Sequence, residues 1–227
     1  MSGYWEPIEA QWQNRQLVHL QPLLSLVSEA HQLFASIATH PEFVNAEPSK
    51  QVTVERVLTR RLGEELRAVE ILSRAGHGLQ AISAAANIFE QAHTLTYIGA
   101  DEKYVSDFLM WSPTQRTPSV RSVVNVSGGV RGWDKERVDE EYETYTFLCG
   151  FKHNNPAFLR VLKIHGDPDL YLCQLALANA IWFTLSSFGV LAVTRLSATE
   201  LHNLITDCNA LMARAESLFP KLPSGLE

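Results

Sequence analysis

The sequence predicts an all-α protein: a single helical bundle of about eight to ten helices that takes in residues 1–227. Apolar residues recur at helical spacing along most of the chain, whereas the two-residue alternation of half-buried strands is almost absent. Start and stop signals divide this pattern into segments with short connections, and no repeat or domain linker interrupts it. We expect the bundle to surround one buried apolar helix at about 169–195.

The first half of the chain contains four long helical segments and one short one. The long segments cover residues of about 7–20, 22–38, 52–74 and 79–98. Pro22 suits the first turn of a helix, so a break is expected before it. Residues 42–49, between two prolines, are typical of a loop. Asp101 is a candidate N-cap for the short helix, which reaches about Trp111.

The second half begins with a loop at residues 112–119. Residues 122–133 are either a helix broken by its Gly-Gly pair or a flexible loop. A helix is expected from Asp134 through His153, a short one at about 156–164, and then the long apolar helix. The run Ser-Ala-Thr-Glu at 197–200 is a capping box for a final helix that ends near Leu218.

Composition excludes several classes of protein. Hydrophobic residues make up 46% and charged residues 19% of the 227 positions, which is typical of a globular protein. A net charge of −6 gives no global sign of a nucleic-acid-binding protein. Three cysteines without CxxC spacing argue against a disulfide framework and a structural zinc site. No cofactor is indicated. The amino-terminal residues lack the features of a signal peptide, so a cytoplasmic location is expected.

Residues 170–194 contain no charged side chain, a length that would also span a bilayer. Polar residues are scattered through this run, and no basic cluster flanks it, whereas spanning helices usually carry Lys or Arg at one end. The other helices need an apolar element to pack around. We therefore interpret the run as a buried core helix, and a membrane partner is not expected.

The helix at 52–74 carries arginines on the face opposite its apolar residues. They are Arg56, Arg60, Arg67 and Arg74. Such a stripe could bind an anionic partner such as RNA. However, Glu64 and Glu70 lie beside it, which predicts the pairs Arg60–Glu64, Glu64–Arg67 and Glu70–Arg74. The favoured interpretation is a solvated face that neutralises itself.

Glu90 and His93 have the Glu-x-x-His spacing of di-iron bundles. That site needs a second such motif, which the chain lacks, so no metal site is predicted. Glu90 is notable for another reason. It lies in an apolar helix, where a carboxylate must find polar partners or lose much of its solvation free energy.

Tyr142, Tyr145, Cys149 and His153 recur at spacings of 3, 4 and 4 and therefore share one helical face. Cys149 and His153 could form a thiolate–imidazole couple. The favoured alternative is a small buried thiol with His153 hydrogen-bonded in the interior, because no third group that would orient the histidine is evident.

Tyr145, Leu148, Cys149 and His153 resemble the Tyr-x-x-Leu-Ser-x-x-x-His signature of an all-helical bacterial family known only as a domain of unknown function. That family also carries Arg-Ser-x-x-Glu, which is similar to residues 86–90 here, with Ala and Asn in place of Arg and Ser. The resemblance implies that Glu90, Tyr145 and His153 meet inside a bundle. The candidate polar-network or ligand residues are Asn87, Glu90, Tyr97, Tyr145, Cys149, His153 and Asn154.

Such bundles loosely resemble the HEPN superfamily, whose toxin and antiphage ribonucleases use Arg-x(4–6)-His. Two pairs match that spacing, Arg160 with His165 and Arg195 with His202. Chance alone predicts about this number of matches in a chain of this composition. His153 has no arginine at these spacings. Candidates for catalysis under this hypothesis are Glu90, Tyr145, His153, Arg160 and His165.

Three functions remain as hypotheses. The chain lacks a complete catalytic constellation, which favours a non-catalytic sensor, adaptor or partner-binding module that acts with a protein partner or as a homodimer. The alternative is a HEPN-like ribonuclease or toxin in a bacterial antiphage system. A second alternative is a membrane-associated effector that uses residues 170–194. Whether the protein is an enzyme is left open.

Overall fold

A computed structural model describes residues 5–109, 118–153, 155 and 167–220. These residues form nine α-helices and no strand, which confirms the all-α prediction. The helices are α1 (Trp5–Ala38), α2 (Pro41–Val44), α3 (Lys50–Ala75), α4 (Gly78–Ala100), α5 (Glu102–Leu109), α6 (Val120–Val130), α7 (Lys135–Lys152), α8 (Pro168–Arg195) and α9 (Ala198–Ser217).

The uncharged run forms α8, and α8 is the central helix of the bundle, as predicted. It packs on α1, α3, α4 and α9, and its most extensive contact is with α4. Small residues let these two helices approach closely: a Cβ on Gly78 would lie 2.8 Å from Leu172 Cβ. Burial of the apolar side chains between α8 and these helices is the main contribution to the stability of the bundle, at roughly 25 cal/mol per Å² of apolar surface.

Among the described helices, α8 is the one that is long and apolar enough to cross a membrane, and 72% of its most apolar window is buried inside the bundle. The central helix of a helical bundle meets the same criteria of length and composition. The packing of four helices around α8 therefore accounts for its lack of charge.

Two predicted boundaries are wrong. The break before Pro22 is absent, because α1 runs through this proline. Buried residues on both sides of it, including Leu20 and Leu24, keep one continuous face against the core, and this packing offsets the lost backbone hydrogen bond. The predicted loop at 42–49 contains the single turn α2, whose last carbonyls accept hydrogen bonds from the Arg56 guanidinium.

Helix α6 takes in most of residues 122–133, which the sequence left open, and the Gly-Gly pair lies inside this helix. Gly128 is there because α7 packs too closely for a side chain: a Cβ would lie 2.5 Å from Val138 Cγ2. The predicted loop at 112–117, the helix end at Trp111 and the predicted helix at 156–164 lie outside the described residues.

Several helix starts match their sequence signals. Asp134 and Asp167 accept backbone hydrogen bonds from Arg137 and Leu170 at the starts of α7 and α8. The predicted capping box at 197–200 differs in detail. Ser197 precedes α9 as expected, but its side chain makes no capping bond, and its backbone N–H donates to Glu42 Oε2 at 2.7 Å instead. A side chain from a distant segment thus helps to position this helix end.

Candidate functional site

Glu90 and Tyr145 meet between α4 and α7. The Tyr145 hydroxyl donates to Glu90 Oε1 at 3.0 Å, and its ring stacks on Phe89 with centroids 5.1 Å apart. Burial, followed by the Cys149 thiol and the Glu90 carboxylate, raises the pKa of Tyr145. The phenol therefore stays protonated and serves as a hydrogen-bond donor rather than as a base.

Lys152 forms a cluster with Glu90 and Tyr145, and the sequence analysis did not predict its part in it. Its Nζ donates to Asn87 Oδ1 at 2.9 Å and lies 3.8 Å from Glu90 Oε1. Lys152 lies seven residues after Tyr145, so the two share a helical face, and this spacing is the signal that would have identified it. The charge of Glu90 is thus balanced within the protein.

His153 does not join this cluster, and the expectation that it meets Glu90 in the interior is wrong. Helix α7 ends at Lys152, and His153 is its C-cap, with φ −101° and ψ 13°. Because these angles leave the helix, the face shared by Tyr145 and Cys149 does not continue to His153, which is exposed. Cys149 is half-buried, as a packed thiol would be.

Tyr97 and Glu90 line a cavity of 170 Å³ next to α5 and α6. This volume is below the usual range of small-molecule sites, about 300–1,000 Å³. The Tyr97 ring packs against Tyr104 with centroids 4.3 Å apart. The remaining candidates Asn154, Arg160 and His165 lie outside the described residues.

Arg195, half of the second Arg-x(4–6)-His match, has a structural role. Its Nε and NH2 each donate to Glu55 at 2.9 Å, and Glu55 is only 1% exposed. This bidentate ion pair connects the end of α8 to α3. His202 lies on the exposed side of α9. An arginine held in this way is not free to contact a phosphate.

The arginine stripe of α3 is largely paired within the protein. Arg60 pairs with Glu64 and Arg74 with Glu70, as predicted. The predicted Glu64–Arg67 pair is wrong, because Arg67 reaches the other oxygen of Glu70 at 2.5 Å. Glu70 is buried, and its two oxygens accept one hydrogen bond each from Arg67 and Arg74. His31 of α1 lies 3.6 Å from the same carboxylate. Arg56 instead binds the carbonyls at the end of α2.

A second polar centre, not predicted as such, surrounds His93. Its Nδ1 lies 2.9 Å from the Ser127 hydroxyl and its Nε2 lies 3.0 Å from Glu141 Oε1. All three side chains are buried. Burial lowers the pKa of His93 despite the opposing effect of the Glu141 hydrogen bond, so the ring is neutral at neutral pH. A neutral ring that donates from Nε2 and accepts at Nδ1 satisfies both partners.

The composition of this centre is that of an acyl-transfer triad, but its geometry is not. In such triads the hydroxyl bonds Nε2 and the carboxylate bonds Nδ1, whereas here the two are exchanged. Ser127 is completely buried, so it cannot present its hydroxyl to a substrate. Among the described residues, no group of three or more His, Cys, Asp or Glu side chains is placed to hold a metal ion. The His93 centre therefore joins α4, α6 and α7 as a closed structural network.

A groove lies between the described helices α7 and α9, with α8 as its floor. Helix α7 packs on α4 and α6, and α9 packs on α1 and α8, which leaves one stripe of α8 between them. Its residues, three or four apart, are Leu175, Asn179, Trp182, Ser186, Val190 and Val193. The stripe is roughly 27 Å long at 1.5 Å per residue.

Three adjoining cavities follow this stripe, with volumes of 500, 320 and 440 Å³. Thr144 and Asn179 line both the first and the second, and Arg137 and Trp182 line both the second and the third. We call the whole feature the α7–α9 groove. The polar residue Ser186 within the apolar run is half-buried and is the sequence signal that this side of α8 is not fully covered, whereas Asn179 is buried and donates to the Leu175 carbonyl at 2.8 Å.

The two ends of the α7–α9 groove differ in charge. Carboxylates of Glu140 and Glu143 line the 500 Å³ cavity. The 440 Å³ cavity is lined by Arg131 and Arg137 together with apolar and uncharged polar residues, and no carboxylate is among the described residues that line it. The guanidinium carbons of both arginines lie over the Trp133 ring, at 4.9 and 5.5 Å from its centroid.

No family model, no curated protein and no solved structure matches this chain. The resemblances to the bacterial family and to the HEPN superfamily therefore stay predictions. The function of the protein has to be inferred from the residues of the two polar centres and of the groove.

Proposed function

We propose that this protein is a non-catalytic sensor module that binds a small amphiphilic molecule in the α7–α9 groove. The observation that carries this proposal is the stripe of α8 that the described helices α7 and α9 cover only in part, and that lines cavities of 320 to 500 Å³. Volumes in this range are typical of small-molecule sites, as are mostly apolar walls with a few polar groups.

The polar clusters support the non-catalytic part of the proposal. Glu90 accepts a hydrogen bond from Tyr145, and Lys152 balances its charge. His93 is buried and satisfied by Ser127 and Glu141. A catalytic base or nucleophile must reach a substrate, and these groups bind one another instead.

Gly189 provides the test. It lines the 440 Å³ cavity, and a Cβ added to it meets no atom within 4 Å. Gly189→Leu should therefore fill the cavity without disturbing the helix. Gly99→Leu in α4 is a matched control, because a Cβ there also meets nothing within 4 Å and Gly99 lines none of the three groove cavities.

Binding of 1-decanol would be measured by isothermal titration calorimetry, below its solubility limit, for wild type and both variants. We expect wild type and Gly99→Leu to bind alike and Gly189→Leu to bind about tenfold more weakly or worse, since an occupied cavity excludes the chain. Mass spectrometry of the titrated sample should detect only unmodified decanol, as expected for a protein that binds the molecule without reacting with it. Equal binding by all three proteins, or no binding by wild type, would contradict the proposal.

A further inference from the structure

The arginine end of the α7–α9 groove contains a cation that the described part of the chain does not pair with a carboxylate. Arg131 is the C-cap of α6, and its NH2 donates to the Thr96 hydroxyl at 3.1 Å. Its guanidinium also lies over Trp133. Both of these partners are uncharged. Its Nε is shielded from solvent and has no hydrogen-bond partner within the described structure.

Arg131 nevertheless keeps its charge. Burial lowers its pKa to about 10, and Glu141 opposes this effect from a distance. Glu141 is itself held by His93 at 3.0 Å, so it is not free to approach. A guanidinium shielded from water is costly unless an anion accepts its hydrogen bonds. Arg131 is half-buried and lines the 440 Å³ cavity, so an anion bound in that cavity would lie beside its side chain.

The walls of the 440 Å³ cavity determine what kind of anion would fit. Val190, Ile205 and Met212 are half-buried where they line it, and Val193 at its edge is 58% exposed. These side chains would gain stability from contact with an aliphatic chain. A small hydrated anion would leave them in water, so the fitting ligand has both a charged head and an apolar tail.

The second arginine strengthens this choice. Arg137 lines the same cavity, and its guanidinium carbon lies 5.5 Å from the centroid of the Trp133 ring. Its carboxylate partners are Glu140 at 3.2 Å, which is largely exposed, and Glu141 at 3.8 Å. These are long contacts for a guanidinium, and an anion in the cavity would compete with them.

On the basis of the proposed function, we infer that the α7–α9 groove binds an amphiphilic anion whose carboxylate-like head contacts Arg131 and whose aliphatic tail lies along the α8 stripe. The planar guanidinium suits a carboxylate, which accepts two parallel hydrogen bonds. The glutamates at the opposite end of the groove repel the head and leave only one favourable orientation.

The test compares ligands of one chain length. Decanoate, 1-decanol and decyltrimethylammonium, each below its aggregation concentration, would be titrated calorimetrically into wild type, Arg131→Met and Arg131→Lys. Arg60→Met is the control variant, because Arg60 is an exposed arginine paired only with Glu64 in the described structure. Circular dichroism would check that each variant is folded.

We expect wild type to bind decanoate about tenfold or more tightly than decanol, as a charge-assisted hydrogen bond predicts. Arg131→Met should remove this preference and leave decanol affinity unchanged. Arg131→Lys should retain part of it, and Arg60→Met all of it. The cationic ligand should bind more weakly than decanol.

The inference is overturned if decanol binds as tightly as decanoate, if the cation binds best, or if Arg131→Met keeps the preference. In each of these cases the proposed function would still hold if wild type binds decanol and Gly189→Leu binds it more weakly. If none of the three ligands binds wild type, both the inference and the proposed function fail.

Discussion

Arg195 and Arg131 lie at the carboxyl ends of α8 and α6, where a cation interacts favourably with the helix dipole. Arg195 meets the buried carboxylate of Glu55 through two hydrogen bonds of 2.9 Å. Arg131 meets a hydroxyl and an aromatic ring. The same side chain thus stabilises the bundle in one region and is left for a ligand in the other. The difference lies in whether a neighbouring helix supplies a carboxylate, as α3 does for Arg195.

Replacing each arginine with methionine tests this difference directly. Arg195→Met should destabilise the protein by about 3–5 kcal/mol, because it leaves the buried Glu55 carboxylate without its counter-charge. Urea unfolding followed by circular dichroism measures this change. A loss below about 1 kcal/mol, the usual value of an exposed pair, would show that the two regions do not differ as described.

The His93 centre should show the second largest effect. His93→Leu leaves the Ser127 hydroxyl and the Glu141 carboxylate buried without their partner, so we expect a loss of about 3 kcal/mol in the free energy of unfolding. His93→Gln, whose amide can donate to one partner and accept from the other, should lose less. If the two variants are equally stable, the hydrogen bonds of this centre contribute nothing measurable and only its packing matters.

The same histidine predicts a dependence of stability on pH. Its folded pKa is lowered from 6.5, chiefly by burial, so below pH 6.5 the unfolded state binds more protons. The stabilisation is complete above pH 6.5 and is lost as pH falls, by up to about 1.4 kcal/mol per pH unit.

Because burial also lowers the pKa of His31, wild type must be compared with His93→Gln. The free energy of unfolding of both proteins would be measured between pH 7.5 and about 5. The variant should lose less stability than wild type on acidification. Parallel curves would show that His93 has the same proton affinity in the folded and unfolded states.

Arg131→Met should have the smallest effect, with a free energy of unfolding within about 1 kcal/mol of wild type. The substitution breaks no carboxylate ion pair of the described structure, and it removes a charge from a half-buried position. The Thr96 hydroxyl keeps its bond to the Ala92 carbonyl at 3.2 Å. A loss of stability as large as that of Arg195→Met would mean that Arg131 is a structural residue, as Arg195 is.

Local features were the most predictable. The pairs Arg60–Glu64 and Arg74–Glu70 follow from a spacing of four residues within one helix. The helix starts at Asp134 and Asp167 depend only on a side chain and the next turn. Glu90 and Tyr145 were expected to meet, and they do, because each lies on the side of its helix that faces the other helix.

Contacts between distant residues were not predictable in the same way. Glu55 and Arg195 are 140 residues apart, and His93 and Glu141 are 48 apart. Glu141 lies in an acidic segment that resembles an exposed helix surface. Only the approach of α7 to α4 shows that it is buried. His153 illustrates the opposite error, since one residue beyond a helix end was enough to expose it.

The sequence alone determined that this chain forms helices around an apolar centre, because helical periodicity and an uncharged run leave few other ways to remove that many apolar side chains from water. Only the tertiary structure decided which side of α8 the described helices leave partly uncovered. That depends on the spacing of α7 and α9, which are distant in sequence and are each positioned by other helices. The open groove with Arg131 at one end exists because those two helices do not close over the stripe between them.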